Sequence, residues 1–288
     1  MLSITGKTKL LGVMGDPVEH SLSPVMHNAA IAQLGVDYLY VPFPVVPAEL
    51  NRAVSGLAAI GVRGFNLTIP HKQAIIPMLA EISPVAQAVG AVNTVWPTES
   101  GWAGTNTDVE GFLAPLKELT QPWSETVAVV LGAGGAGRAV VAGCATLGCD
   151  RICVVGRNWE KLQAFERSWQ NSPLPAKLEI HPWEQLPLLI PEAGLLVNAT
   201  PVGMSPHAQR SPLSATAMAK LPPNSIVYDL IYTPNPTQLL RQATDLGLIA
   251  IDGLEMLVQQ GAAALQLWLS REVPVEVMRQ SLRHHLGL

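Results

Sequence analysis

Charge is what this 288-residue chain has least of: 14% of its residues are Asp, Glu, Lys or Arg, against the roughly 25% usual for soluble domains. Eighteen basic and 22 acidic side chains leave a formal net charge of −4, with no basic footprint for nucleic acid. Cysteine is scarce too. Cys144, Cys149 and Cys153 are odd in number, crowd into ten residues, and form neither a CxxC nor a set with a nearby His pair. That pattern argues against a disulfide framework or a structural zinc site, no metal is expected, and the thiols fit a reducing compartment. The N-terminal residues hold no apolar run followed by a small-residue cleavage site, so a cytoplasmic protein is expected. No internal repeat is obvious.

What is present is apolar. Hydrophobic residues make up 48% of the chain, with 24 Gly and 24 Pro, enough to bury a sizeable core and exclude intrinsic disorder. At about 150 residues per domain the length predicts two domains. The stretch Val127 to Cys149 carries Arg138 as its only charge and is long enough to cross a bilayer. Its glycines 132, 134, 135 and 137 disfavour a continuous helix, so strand, turn and helix are expected instead, with no membrane association.

Short β-branched runs alternate with helical patterns from Leu10 onward, which predicts α/β layers. Strands are expected at Lys9–Met14, Tyr38–Phe43 and Gly64–Thr68, then a hairpin at Asn93–Trp96 and Gly101–Thr105, and a helix from Asp108 that Pro115 interrupts. Thr120–Ser124 reads as a linker. Beyond it, strands are expected at Thr126–Leu131, Arg151–Gly156, Leu178–His181, Leu195–Ala199, Ser225–Leu230 and Leu248–Ile251. The stripe Leu254, Leu257, Val258, Ala262, Leu265 and Leu269 has helical spacing.

The strand Thr126–Leu131 runs into Gly132-Ala133-Gly134-Gly135-Ala136-Gly137, a GxGxxG that opens a helix. Gly132 permits a tight turn, Gly134 lets backbone approach a pyrophosphate, and the N–H groups at Gly135, Ala136 and Gly137 face the anion at the positive end of the helix. NAD enzymes place an acid at the tip of the next strand. Here the tip reads Val155-Gly156-Arg157-Asn158, with Arg157 25 residues after Gly132 and Lys161 one turn further on. A guanidinium grips a phosphate through paired hydrogen bonds, which favours NADP.

The first half carries dense polar blocks: Gly15-Asp16-Pro17-Val18-Glu19-His20-Ser21-Leu22-Ser23-Pro24, Asn66-Leu67-Thr68-Ile69-Pro70-His71-Lys72, Gly90–Thr94 and Gly104–Asp108. With the glycine loop, Asn198-Ala199-Thr200-Pro201-Val202-Gly203-Met204, Tyr228–Tyr232 and Gly253–Gln260, this ordered series resembles the shikimate dehydrogenases from about residue 10 to 270.

The resemblance implies a two-domain α/β protein. A substrate-binding and catalytic domain with a mostly parallel sheet would span 1–120, with the helices of about 254–288 packing back toward it. A Rossmann NADP-binding domain would span 121–253, with the active site in the cleft between the two. It implies an NADP-dependent oxidoreductase interconverting 3-dehydroshikimate and shikimate on the way to aromatic amino acids, acting as a monomer or homodimer. By the same likeness Ser21, Ser23 and Thr68 hold the substrate carboxylate, and Asn66, Asn93, Asp108, Tyr232 and Gln260 line the rest of the substrate. Lys72 and Asp108 form the catalytic pair, while Asn158, Asn198, Thr200, Met204 and Gly253 join the glycine loop, Arg157 and Lys161 at the cofactor. Where the family commonly reads Asn-Arg-Thr, this chain has Gly156-Arg157-Asn158, which replaces a hydroxyl by an amide.

The residues themselves leave alternatives. Ser23 before Pro24 has the form of a helix N-cap, whereas Ser21 has no such role to fill. Asp108 can cap its own helix as well as pair with Lys72. Gln260, in an otherwise apolar helix row, can reach substrate or satisfy a loop carbonyl. Lys72, Asp108 or a relay shared by both can carry the proton. His20, His27 and His71 read as structural or supporting groups. A dual-specificity quinate/shikimate dehydrogenase shares most of these motifs. A non-catalytic NADP-binding sensor shares the glycine loop but would not need Lys72 and Asp108.

Overall fold

The computed structural model describes residues 4–170, 172–174 and 176–288. The chain forms two compact units. One takes the chain up to Gly111 and again Leu257–Leu288, the other Phe112–Met256.

The first unit is built on β1 (Lys9–Gly15), β2 (Tyr38–Pro44), β3 (Gly64–Leu67), β4 (Glu81–Ile82), β5 (Thr94–Thr98) and β6 (Gly101–Thr105), in the order β2-β1-β3-β5-β6-β4. β2, β1 and β3 run parallel, as do β4 and β6, while the β5–β6 hairpin joins β3 antiparallel, so the sheet is mostly parallel, as expected, with one antiparallel hairpin set into it. Its connections are α1 (Ser23–Leu34), α2 (Leu50–Ala59), the one-turn α3 (His71–Ala74) and α4 (Pro84–Val89). Alternation along β3 puts Phe65 and Leu67 on a face covered by Leu50, Val54 and Leu57 of α2. Asn66 therefore points to the opposite face.

In the second unit β7 (Val127–Leu131), β8 (Arg151–Gly156), β9 (Leu178–Pro182), β10 (Ala193–Asn198), β11 (Ile226–Asp229) and β12 (Ile249–Ile251) lie in the order β12-β11-β10-β7-β8-β9. Every pairing is parallel. Read from β9, the order is that of a doubly wound dinucleotide fold, in which ligands bind beyond the carboxyl ends of the strands where the winding reverses. That point lies between β7 and β10. The long weakly charged stretch is β7, the glycine loop and α6 (Gly135–Leu147), and among the described residues no helix is long and apolar enough to cross a membrane. The remaining helices of this unit are α7 (Trp159–Trp169), α8 (Leu186–Leu189), α9 (Ala215–Met218) and α10 (Gln238–Asp245).

Two helices belong to both units. α5 (Asp108–Lys117) changes over at Gly111 and α11 (Gly253–Leu269) at Met256, not in the Thr120–Ser124 linker that the sequence suggests. Phe112 explains the first change. It is fully buried, stacked on Tyr228 with centroids 5.2 Å apart, and lies where a Cβ on Gly143 would fall 2.4 Å from its ring. Further along α11, Trp268 lies over Gly64, where a Cβ would fall 2.1 Å from the indole nitrogen, and that N–H donates to the Val95 carbonyl at 3.0 Å. α12 (Val275–Leu286) packs along α1.

Candidate active site

Lys72 and Asp108 meet within the first unit. The chain leaves β3 at Leu67, turns at Thr68–Pro70 and starts α3, so Lys72 stands just beyond the end of a central strand. Its Nζ donates to Asp108 Oδ2 at 2.5 Å, with the two side chains 19% and 8% exposed. Asp108 does not cap its helix. Its other oxygen, Oδ1, accepts from Asn93 Nδ2 at 2.8 Å, and its own backbone N–H donates to Asn106 Oδ1 at 3.0 Å. A lysine tied this way has its ammonium fixed in direction while its remaining N–H bonds stay available.

Asn93 is the hub behind the pair. Its Oδ1 accepts from the Thr107 backbone N–H at 2.8 Å and the Thr94 hydroxyl at 2.9 Å, and Gln260 Oε1 lies 3.5 Å from its Nδ2. Gln260 donates to the Leu257 carbonyl of its own helix at 2.8 Å, so its carboxamide oxygen is turned toward Asn93. Asn66 is equally committed. It donates to the Asn93 carbonyl and Thr94 Oγ1, both at 3.0 Å, and accepts from the Tyr40 hydroxyl at 2.7 Å. Asn66 and Asn93 are buried hydrogen-bonded braces, each with both ends of its carboxamide in use.

The turn before α1 is closed by Ser21 and not by Ser23. α1 begins at Ser23 itself, preceded by Leu22 with no side-chain cap. Ser21 Oγ accepts from the Ser23 N–H at 3.3 Å, so the bond that closes this turn comes from Ser21. Ser23 is buried near the Tyr40 phenol. Thr68, half-buried, has no side-chain partner among the described residues. Tyr40, absent from the motifs, is the residue that sequence reasoning missed; its only signal is a phenol at an inward position of β2. His27 and His71 are fully buried, donating to the Ser23 carbonyl at 2.8 Å and the Val45 carbonyl at 2.6 Å. Burial pushes the His27 imidazole down to about 4.

In the second unit the glycine loop fits a dinucleotide by its own geometry. Gly132 has φ +107°, and a Cβ there would fall 3.1 Å from the Ala199 carbonyl and from Thr200. A Cβ on Gly137 would lie 2.3 Å from the Gly132 carbonyl, so this glycine allows helix and turn to touch. Gly134 is the N-cap of α6, offers no side-chain cap, and has open space where a Cβ would stand. The first-turn N–H groups at Gly135, Ala136 and Gly137 thus face an open approach at the positive end of a helix. Arg157 follows β8 directly, and it and Lys161 are exposed with no ion pair among the described residues.

Of the other residues expected at the cofactor, Asn198 and Gly253 turn inward. Asn158 spends its Oδ1 capping α7, accepting from the Lys161 N–H at 2.9 Å. Asn198 is fully buried, donates to the Val202 carbonyl and Asp229 Oδ1, and accepts from both the N–H and the hydroxyl of Thr200. No group of its side chain is left for a ligand; it shapes the loop. Gly253 is pressed on the strand-end loop, where a Cβ would fall 2.1 Å from the Leu230 carbonyl, so its lack of a side chain serves packing. Met204 is 44% exposed beside Gly203, whose φ is +111°. Tyr232 is half-buried in the loop after β11, and burial raises its phenol. Asp229, accepting from Asn198, Thr237 and the Ile231 N–H, is pushed up to about 6 because burial outweighs those bonds.

Residues 13–95 match the family described as shikimate dehydrogenase substrate binding domain, and residues 253–283 that described as shikimate 5'-dehydrogenase C-terminal domain. A shikimate dehydrogenase (NADP(+)) of Gloeothece citriformis is 63% identical over 285 residues, covering 99% of both chains. The chain belongs to the shikimate dehydrogenase family. A second family member so named, from Synechocystis, is 60% identical over 286 residues, covering 99% of both chains. Among solved family structures, shikimate 5-dehydrogenase from Thermus thermophilus, in complex with NADP(H) and shikimate, is 37% identical with a TM-score of 0.84, covering 96% of this chain and 99% of that one. A quinate dehydrogenase from Corynebacterium glutamicum, in complex with NAD, is 30% identical with a TM-score of 0.87, covering 98% and 99%.

Proposed function

We infer that this chain reduces 3-dehydroshikimate to shikimate, reversibly and with NADPH, as a step toward aromatic amino acids. The observation that carries the reading is the Lys72–Asp108 pair, held at 2.5 Å by the motif residues of a chain 63% identical over its length to a named NADP-dependent enzyme.

Bound NADPH supplies the hydride to the carbonyl carbon. Lys72 meets the negative charge that then develops on the oxygen, through an N–H that Asp108 does not use, and can deliver the proton that completes the alcohol. Asp108 keeps the ammonium aimed, and Asn93 keeps Asp108 in place. Ser21, Ser23 and Thr68 are assigned to the substrate carboxylate, with Gln260 and Tyr232 toward the ring hydroxyls; Asn66 and Asn93 act there mainly by holding this wall rigid. On the cofactor side Gly132–Gly137 would hold the pyrophosphate. Arg157 and Lys161 would hold the 2'-phosphate, the feature that favours NADP over NAD. The substrate part corresponds to the first unit and the NADP part to the second. Three free, buried cysteines suit a reducing compartment, and we place the enzyme in the cytoplasm as a monomer or homodimer.

The quinate dehydrogenase likeness supplies the one competing reading, dual specificity. Loss of NADPH absorbance with 3-dehydroshikimate, and its gain with shikimate and NADP, tests both readings. Turnover of shikimate at a kcat/KM well above that of quinate is expected; robust quinate turnover without shikimate turnover would overturn the proposal.

A further inference from the structure

Away from the glycine loop, at the edge of the second sheet, three side chains of different chemistry converge. β8 and β9 pair in parallel with Cys153 opposite Glu179 and Val155 opposite His181. Residues two apart on a strand share a face, so Cys153, Glu179 and His181 project to one side. Cys153 Sγ lies 3.7 Å from Glu179 Oε2, His181 Nε2 lies 3.1 Å from the same oxygen, and all three ligand atoms fall within 4.8 Å of one another.

Those separations are close to what one ion imposes. Zinc bond lengths of about 2.3 Å to sulfur and about 2.0–2.2 Å to nitrogen and oxygen, set tetrahedrally, put ligand atoms about 3.4–3.6 Å apart. The surroundings suit an ion as well. His181 Nδ1 is 2.9 Å from Gln185 Oε1, so the imidazole can donate there and leave the Nε2 lone pair toward the cluster, as outer partners of metal-bound histidines do. Arg151 lies 3.6 Å from Glu179 and also pairs with Glu192. With a thiolate at Cys153, the charges of Arg151, Glu179, Glu192 and a divalent ion sum to zero. Cys153 closes the inner side, fully buried, while Glu179 and His181 are 42% and 19% exposed and leave an approach from solvent.

We propose that Cys153, Glu179 and His181 form a binding site for a zinc-like divalent cation, with water as the fourth ligand. Binding displaces the Cys153 thiol proton to solvent, shifts the His181 proton from Nε2, where it bonds Glu179, to Nδ1, where it bonds Gln185, and replaces the Cys153–Glu179 and His181–Glu179 hydrogen bonds by three bonds to one ion. The site pins the edge strand β9 to β8 and takes no part in hydride transfer. Sequence spacing does not reveal it, because the ligands come from neighbouring strands 26 and 28 positions apart.

The test is a titration of chelator-treated, tag-free full-length protein with Co²⁺, read by the thiolate-to-cobalt charge-transfer absorption, followed by displacement with Zn²⁺. One equivalent is expected to produce the band and Zn²⁺ to abolish it. Cys153→Ser should remove the band, His181→Gln and Glu179→Gln should weaken Co²⁺ at least tenfold, and Cys149→Ala should leave binding unchanged. Shikimate turnover retained by each variant shows that it is folded. If Cys153→Ser does not fold, the two variants at partly exposed positions decide. Absence of the band at one equivalent, its survival in Cys153→Ser, or undiminished affinity in both His181→Gln and Glu179→Gln would overturn the proposal.

Discussion

Asn93 holds the carboxylate oxygen of Asp108 that Lys72 leaves free, at 2.8 Å, while Lys72 holds the other at 2.5 Å. Asp108 is thus clamped from both sides, and its carboxylate serves to aim the lysine. Lys72→Ala should lower kcat by about 10²–10⁴-fold with KM for shikimate changed much less, because the lost contact is one that strengthens as charge develops. Folding should survive, since Asn93 still holds Asp108. Steady-state kinetics on the folded variant check this; a kcat within a few-fold of the parent would move the proton transfer to Asp108 or a water.

Arg157 is exposed and unpaired among the described residues, so its removal disturbs no internal bond. A charge-assisted contact of about 1.5–3 kcal/mol corresponds to roughly a ten- to hundredfold change. Arg157→Ala should raise KM for NADP by that factor and leave KM for NAD nearly as it was. Equal losses with both cofactors would mean that the arginine does not read the phosphate.

Ser21→Ala should show two effects at once, because its oxygen accepts the Ser23 N–H. KM for shikimate should rise with little change in kcat, the pattern of a contact equal in ground and transition states. Thermal unfolding should also report a loss of about 0.5–1.5 kcal/mol, the usual net worth of one hydrogen bond. Kinetics and melting curves together separate the two; a fall in kcat alone would contradict the assignment.

His27 makes stability depend on pH. Burial lowers its folded value to about 4 from the ordinary 6.5, so between those values the unfolded chain carries a proton that the folded chain does not. The contribution is fully present above pH 6.5 and is lost as pH falls toward 4. Between pH 7 and 5 it amounts to about 2 kcal/mol. Asp229, pushed up to about 6, works in the opposite direction over the same range. The measurement is therefore a difference: unfolding free energy at pH 7 minus that at pH 5 should be about 2 kcal/mol smaller in His27→Phe than in the parent.

Much of this was legible because some residue types have few uses. A GxGxxG between a strand and a helix fixes a turn that only glycine can make at Gly132. With no acid at the tip of β8, the exposed Arg157 is the group to which we assign the phosphate contact. Polar residues with several uses misled. Ser23 looks like a cap from its neighbour Pro24, yet the helix starts one residue early and Ser21 supplies the bond. Asn198 and Gly253 belong to the recurring motifs, but the first is consumed by Thr200, Val202 and Asp229 and the second by the Leu230 carbonyl. Asp229 for Asn198 and Leu230 for Gly253 are partners distant in sequence, as are those of Tyr40 and Cys153, and local pattern carries no record of them.

The division of the chain has a consequence for its synthesis. β1 to β6 emerge from the ribosome first, but Trp268, which lies on Gly64, Gln260, which faces Asn93, and α12, which covers α1, emerge last. The whole of Phe112–Met256 comes between. The nucleotide unit can therefore finish folding during translation, whereas the unit holding Lys72 and Asp108 stays open at its beginning until the final helices are made. A premature stop after Met256 would spare the first unit's sheet sequence and still deprive it of the wall against which Asn93 is set.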